Sequence, residues 1–330
     1  MELCCPYCKR SFITKKGKRK EKQGSRQKYY CTLCRKTFVK RECKNKTYNA
    51  EVIREAITLY NQGFTFEETA NALNKRFKTS TTKSSIQRWI KEYQSICTYA
   101  PLRTAMRKRY GKDIIVSKNF TYQGLAYNFK YHKGKLEILG EMFPSLSSYI
   151  RRCEAGCPAF FNDIDNRCST LRLEVKIEKN VSENLVCRRA ALALCYFPTK
   201  KKRHSLIENF MLINDDTTVA VEIPVWLWEK NLKCSIAGHI DLIQVSQGYV
   251  YILDYKPDAS REKDEQVASQ LYLYASGLSF RAAIPLSRIR CAWFDDKSYV
   301  EFEPTKAKVR YTKTNNPITS PQATNLENEK

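Results

Sequence analysis

Two apolar runs, Gly238-His-Ile-Asp-Leu-Ile and Tyr251-Ile-Leu-Asp-Tyr-Lys, each carry one aspartate, Asp241 and Asp254, and Gln247-Gly248 lies between them. Runs this rich in β-branched and aromatic residues read as strands, and the Gln-Gly pair reads as a tight turn. No other feature constrains the fold as much, because a hairpin here brings two carboxylates side by side. Neighbouring carboxylates repel, so the pair makes chemical sense around a hard divalent cation. Lys256 follows Asp254 by two residues, and alternation along a strand puts both side chains on one face. Two acids around a cation, with a lysine beside them, suit phosphodiester hydrolysis.

The charge distribution agrees with a polyanionic partner. The chain has 330 residues, 42% of them apolar, enough for two or three domains with cores of their own. Its net charge is +24, but residues 1–112 hold 28 Lys/Arg against 8 Asp/Glu while the remainder holds 30 against 26. So basic a block is what a DNA-binding surface looks like, although a charge run alone also fits a solvated face. No run approaches the ~20 apolar residues of a membrane span. The N-terminus has no signal-peptide core, so the expected location is cytoplasmic, in a reducing compartment on DNA or nucleoid. There, 14 cysteines point to thiols and metal rather than disulfides.

Cys5-Pro-Tyr-Cys8 and Cys31-Thr-Leu-Cys34 are two C-x-x-C pairs. Together they can place four thiolates on one tetrahedral, structural Zn2+, supplying folding energy that a small polar segment cannot draw from a core. Cys4 adjoins Cys5 and could replace it, and Cys43 is spare. With Lys15, Lys16, Lys18, Arg19, Lys20 and Lys22 between the pairs, the segment is expected to touch phosphates rather than serve only as a knob. The order of Cys-Pro-Tyr-Cys, a basic hairpin, Tyr30-Cys31-Thr-Leu-Cys34 and Phe38 resembles the zinc ribbon of insertion-sequence transposases.

Residues 47–97 read as three helices. Val52, Ile53, Ala56, Ile57 and Tyr60 form a helical stripe closed by Gly63. Thr65 and Glu68 have capping-box spacing for a short second helix. Ser84 or Ser85 is expected to cap a third, carrying Ile86, Trp89, Ile90 and Tyr93 inward. Three helices in this order resemble the helix-turn-helix of transposases and resolvases, which implies that Lys83, Gln87, Arg88 and Lys91 face DNA. A plain three-helix bundle is the alternative.

Arg103, Arg107, Lys108 and Arg109 make residues 98–144 basic, and Ile114-Ile-Val and Leu125 to Tyr131 alternate like strands, with Lys133-Gly-Lys as a turn. This stretch reads as a linker with a small β-element. Residues 305–330, polar and rich in Asn, Thr and Pro, read as a disordered tail.

Between them, residues 145–304 carry a second resemblance. Ser145-Leu-Ser-Ser runs into Cys157-Pro-Ala-Phe-Phe; Gly238-His-Ile-Asp241, Asp254-Tyr-Lys256 and Gln270-Leu-Tyr-Leu-Tyr274 follow in order. Together these resemble a RecB-like nuclease of the PD-(D/E)XK superfamily, with its Gly-x-x-Asp, Asp-x-Lys and Gln-x-x-x-Tyr motifs. The resemblance spans about half the chain. It implies a restriction-endonuclease-like α/β core, a mixed sheet flanked by helices. It also implies that Asp241, Asp254 and the Tyr255 carbonyl bind Mg2+ or Mn2+, and that Lys256 orients the attacking water. Asp254 stands where many members have Glu. Of His132, His204 and His239, the resemblance selects His204 as the metal-binding histidine upstream, on an expected helix. His239 is expected to point away from Asp241. Gln270 and Tyr274 are expected one turn apart on a helix facing the active site, and Glu222 either near it or exposed. Some branches of the family carry a four-cysteine iron–sulfur cluster, but Cys291 is the one cysteine near the C-terminus here, so no cluster is expected. A smaller metal site from Cys153, Cys157 and Cys168 with Cys187 or Cys195 is less expected than buried thiols.

The chain is therefore expected to be multidomain. A zinc ribbon (1–46) and helix-turn-helix (47–97) deliver a metal-dependent nuclease (145–304) to DNA, in a protein of a mobile element or virus. A DNA-binding regulator on an inactive nuclease fold and a transposase-type recombinase are the alternatives. The oligomeric state stays open, a homodimer included.

Overall fold

A computed structural model describes residues 5, 8, 10–21, 24–39, 48–123, 125–164, 166–195 and 202–311. The chain divides into two units, Met1–Tyr60 with Phe64–Lys91, and Asn61–Gly63 with Glu92–Lys330.

In the first unit, β1 (Ile13–Glu21), β2 (Gly24–Cys31) and β3 (Thr37–Val39) form an antiparallel sheet in that order. Its buried apolar centre consists of Cys5, Cys31 and Phe38, with Ile13 and Tyr29 packed against them. That is too little apolar surface to hold a fold by itself. Three helices follow, α1 (Ala50–Asn61), α2 (Phe66–Phe77) and α3 (Lys83–Tyr93). The stripe on α1 buries Val52, Ile53, Ala56 and Ile57. The capping box on α2 closes both ways: Glu68 N donates to Thr65 Oγ1 at 3.1 Å and Thr65 N to Glu68 Oε2 at 2.7 Å. Such a cap contributes about 1 kcal/mol. The cap of α3 is Thr82, not Ser84 or Ser85, since its hydroxyl accepts from Ser85 N at 3.3 Å. Ile86 and Trp89 are buried as their spacing requires, and Tyr48 meets the Trp89 ring edge-on.

The second unit is an α/β fold. After α4 (Ala100–Tyr110) come β4 (Ile115–Tyr122), β5 (Leu125–His132), α5 (Lys133–Gly140) and α6 (Pro144–Ala155). Short strands β6 (Asn166–Arg167), β7 (Glu174–Lys176) and β8 (Asn180–Ser182) lead to α7 (Leu185–Ala193) and α8 (Arg203–Asn214). The long strands β9 (Thr218–Glu229), β10 (Cys234–Ser246) and β11 (Tyr249–Tyr255) are followed by α9 (Asp264–Arg281), β12 (Ile289–Phe294), β13 (Tyr299–Phe302) and β14 (Lys308–Arg310). A mixed sheet runs β4-β5-β9-β10-β11-β12-β13-β8, with β6 beside β10. Its pairings are antiparallel except β10–β6 and β11–β12. Parallel neighbours need a crossover, and α9 supplies it between β11 and β12.

The β10–β11 hairpin forms as expected. Gln247 and Gly248 have φ of 51° and 77°, the left-handed pair of a tight hairpin turn. Ser246 pairs with Tyr249 and Leu242 with Leu253, so Asp241 stands opposite Asp254.

Three stretches differ from their sequence expectations. The presumed linker at 98–144 puts β4 and β5 into the main sheet as its edge, because Tyr122, Phe129 and Tyr131 belong to the large core. Lys133-Gly-Lys begins α5 rather than turning, capped by His132 Nδ1, which accepts from Lys135 N at 3.2 Å. Lys135 Nζ is buried and donates to Leu212 O at 2.5 Å, an anchor that local sequence does not reveal. Finally, residues 308–310 of the presumed tail pair with β7; residues 312–330 lie outside the described part.

Candidate active site

Two groups of metal-ligating side chains stand out among the described residues: Cys5, Cys8, Cys31 and Cys34, and His204, Glu208 and Asp241. In the first, Cys5 and Cys34 Sγ are 3.5 Å apart and Cys8 and Cys31 Sγ 3.6 Å. Four thiolates around one zinc stand about 3.8 Å apart, given the Zn–S bond length. The two knuckles close through Cys5 N to Arg10 O (2.8 Å) and Cys31 N to Lys36 O (3.0 Å). All four are free thiols, and the set fits zinc. Cys4, Cys43 and Lys22 lie outside the described residues.

The second group sits at β10, β11 and α8. Asp241 Oδ2 accepts from Tyr255 N at 3.0 Å and lies 3.5 Å from His204 Nδ1. Tyr255 meets the site through its amide, and its ring is buried, edge-on to His204. Lys256 Nζ is 2.7 Å from Asp254 Oδ2 and 3.4 Å from Gln270 Oε1, and Gln270 Nε2 donates to Tyr274 Oη at 3.0 Å. The expected residues His204, Asp241, Asp254, Tyr255, Lys256, Gln270 and Tyr274 therefore converge. Within the group, Asp254 turns to Lys256 while Glu208 takes a place beside His204 and Asp241.

Glu208 is the functional side chain that motif reasoning missed. It follows His204 by four residues, and that spacing puts both on one face of α8, a signal readable in the sequence. Glu222 is drawn in too. It stands opposite Asp241 on β9, with a φ of 53° inside the unbroken strand. Lys130 of β5 donates to Asn209 Oδ1 at 2.6 Å and offsets the charges of Glu208 and Glu222.

The electrostatics show strain among the acids. Burial, then the charge of Asp241, raises Asp254 to about 7. Burial, again with Asp241, raises Glu222 to about 8, and burial with Glu222 and Asp241 raises Glu208 well above the carboxylate range. Asp241 goes the other way. Burial opposes its charge, but the hydrogen bond and charge of His204, Lys256 and the Tyr255 amide outweigh it. His204 and Lys256 are raised because, against burial, their acidic neighbours hold the proton. Asp254 Oδ2 is taken by Lys256, whereas Glu208 Oε1 is buried without a hydrogen-bond partner. Crowded acids beside one imidazole fit a hard divalent cation.

Gly238 explains its own place in the pattern. A Cβ there would come within 2.6 Å of Tyr274 Cε1 and 3.3 Å of Cys168 Sγ, so the glycine lets α9 lay Tyr274 against β10. His239 does not point away from Asp241. Residues two apart on a strand share a face, and the charge of Asp241 acts on the His239 ring. Cys153, Cys168, Cys187 and Cys291 are buried, and burial raises their thiols.

On α3, Lys83, Gln87, Arg88 and Lys91 are all exposed, opposite buried Ile86 and Trp89. No helix among the described residues is long and apolar enough to cross a membrane. No family model, no curated protein and no solved structure matches the chain.

Proposed function

We propose that the chain is a metal-dependent deoxyribonuclease, with a nuclease core of the PD-(D/E)XK type carried to DNA by a zinc ribbon and a helix-turn-helix. One observation carries this: the hairpin register sets Asp241 against Asp254, with Lys256 on Asp254 and Gln270 on Lys256. Mg2+ or Mn2+ held by His204, Asp241 and Asp254, with Glu208 in reach, would polarise the scissile phosphate and make a bound water more acidic.

The chain's own residues do the rest. Lys256 keeps its proton, since Asp254 and Asp241 outweigh the cost of burial. It is therefore a cation that orients the attacking water and offsets charge on the phosphate oxygens, not a base. Gln270 accepts from its Nζ and is itself held by Tyr274, so the ammonium is aimed by a chain of two side chains on α9. The amide of Tyr255 and the imidazole of His204 keep Asp241 ionised and oriented. This set favours hydrolysis over strand transfer, which leaves the recombinase alternative without a specific support. An intact acid pair and lysine likewise favour an enzyme over a regulator.

For delivery to DNA, exposed Lys83, Gln87, Arg88 and Lys91 on α3 and exposed Lys15, Lys16 and Lys18 on β1 supply phosphate and base-edge contacts. Such a protein would act in a reducing compartment, where its thiols stay reduced.

The test is incubation of the full-length protein with labelled single- and double-stranded DNA, with and without Mg2+ or Mn2+. Metal-dependent cleavage leaving 5′-phosphate ends is expected, and loss of cleavage in Asp254→Asn. Cleavage that survives that substitution would remove the site assignment; products joined to a second DNA would favour a recombinase.

A further inference from the structure

Beside the carboxylates lies an aromatic slot that the chemistry above does not use. Tyr127 of β5 and His239 of β10 stack flat, ring centroids 3.6 Å apart and planes 9° from parallel. Phe161 meets the other ring edge-on, 5.7 Å from His239 at 85°. Arg167 of β6, which pairs beside Ala237, donates from Nη2 to the Tyr127 hydroxyl and lies 5.5 Å from the centre of the Tyr122 ring.

The position and composition of this slot point to a ligand. Tyr127 feels the charges of Arg167, Glu222 and Asp241, so its hydroxyl end is near the proposed reaction centre. Tyr127 and Arg167 are each half-buried. His239 is 5% exposed, yet neither of its ring nitrogens has a hydrogen-bond partner. A neutral imidazole has one donor and one acceptor, and leaving both unmade in a buried place costs roughly 1–3 kcal/mol each. His239 backs one face of Tyr127 as an aromatic slab. A partly open tyrosine on a rigid backing is a stacking platform for a base. A guanidinium held against it recognises a phosphate.

We propose that Tyr127 and Arg167 form a nucleotide-positioning subsite beside the reaction centre: one DNA base lies on the Tyr127 ring, backed by His239, and Arg167 holds the adjoining phosphate. This rests on the nuclease function proposed above. A base reaches a side-chain ring only after leaving its duplex neighbours. The strand entering here is therefore unpaired, either a single strand or a frayed end. The hairpin β4–β5 then has a function as well as a place in the sheet, since it carries the platform.

The experiment is an abasic scan with the full-length protein. Short fluorescent single-stranded oligonucleotides, each lacking one base, are bound in Ca2+ in place of Mg2+, and cleavage of the intact strand is followed in Mg2+. In the parent, one abasic position is expected to weaken binding about tenfold, the size of one stacking contact. Tyr127→Leu should bind the intact strand about tenfold more weakly and be indifferent to that abasic position. Tyr127→Phe, which keeps the ring but releases Arg167, should keep the parent's abasic penalty while binding every oligonucleotide more weakly. Arg167→Gln should weaken binding to every oligonucleotide and flatten its salt dependence. An abasic penalty equal in the parent and Tyr127→Leu, or a Tyr127→Phe variant that has lost the abasic penalty, overturns the subsite. Should Tyr127→Leu not fold, Tyr127→Trp takes its place: its larger face should raise the abasic penalty, and an unchanged penalty overturns the proposal. A parent that cuts DNA but shows no position-specific penalty loses the subsite alone; a parent that neither binds nor cuts DNA loses the nuclease function with it.

Discussion

The four cysteines and the group of His204, Glu208 and Asp241 could each hold a metal ion, yet their surroundings differ in kind. Around the cysteines, the buried apolar residues are Cys5, Cys31 and Phe38, two of them ligands themselves. Around Asp241 and Asp254, the core runs through β4, β5, β9–β12, α6 and α9. In the first region a bound metal would take the place of a core; in the second the core exists first and forces acids together. The same inference, that these ligands suit a cation, therefore carries opposite consequences. Removing metal should unfold one region and leave the other folded but electrostatically strained.

The largest expected effect tests that contrast directly. Cys31→Ser should remove about one zinc per chain and unfold the cysteine segment, since structural zinc contributes on the order of 10 kcal/mol in small metal domains. Metal analysis and the thermal melt read both, and the main transition of the second unit should not move. A segment still folded without zinc would break the comparison.

Next in size is Lys256→Met, expected to lower cleavage by about a thousandfold, the scale of one electrostatic stabiliser. Its melting temperature should stay close to the parent's, in contrast to the cysteine variant. A variant that cuts normally would show that the ammonium beside Asp254 is structural.

Replacing Lys83, Arg88 and Lys91 together by Ala should reduce the slope of log affinity for DNA against log salt by about 3, one phosphate contact per charge. Metal-dependent cleavage of nonspecific DNA should remain measurable. An unchanged slope would take α3 out of the interface.

Gly238→Ala probes the second region's dependence on packing rather than metal. The new Cβ meets Tyr274 Cε1 at 2.6 Å, so a loss of roughly 1–3 kcal/mol is expected from overpacking. Cleavage should fall too, because Tyr274 holds Gln270 and, through it, Lys256. Chemical denaturation separates the two effects.

The smallest effect is the pH dependence of the protein freed of Mg2+ and Mn2+. Asp254 and Glu222 are raised to about 7 and 8 in the fold, against about 4 when unfolded. Their contribution is complete below pH 4 and is lost as pH rises through 7 and 8. His204, also raised, acts in the same direction. Asp241 is lowered; its contribution is complete above the unfolded value and lost only in acid. Between pH 5 and 8.5 the melting temperature should therefore fall, by on the order of 5 °C, and added Mn2+ should reverse the trend. A melt that rises with pH without metal would contradict the strained acid group.

How much of this was legible follows the range of each interaction. The β10–β11 hairpin, the stripes of α1 and α3 and the capping box at Thr65 rest on residues a few positions apart, and they fold as read. The cysteine set was legible at longer range because only a few side chains can hold zinc and the paired spacing is distinctive. His204 and Asp241 come together as the family resemblance implied. Glu208 had a local signal, the four-residue spacing from His204, that went unread.

Other features had no local signal. The strands β4 and β5 alternate like any exposed hairpin, and only the core that takes up Tyr122, Phe129 and Tyr131 shows that they belong to the sheet. The buried Lys135 and the pairing of residues 308–310 with β7 depend on partners far along the chain. So does the slot of Tyr127, Arg167 and His239, whose members are dispersed over more than a hundred residues.

By itself, the sequence determined which residues could carry chemistry here: two acids and a lysine on one hairpin, four thiols in two pairs, and a strongly basic front third. Side-chain type and short spacing are local properties, and they survive without a fold. Only the tertiary structure decided what surrounds them. It placed Glu208 and Glu222 against Asp241, made room for Tyr274 at Gly238 and set an aromatic slot next to the acids. Those features depend on which distant segments share one low-dielectric core, where burial turns proximity into raised pKa values and unused hydrogen-bonding groups into places for a ligand.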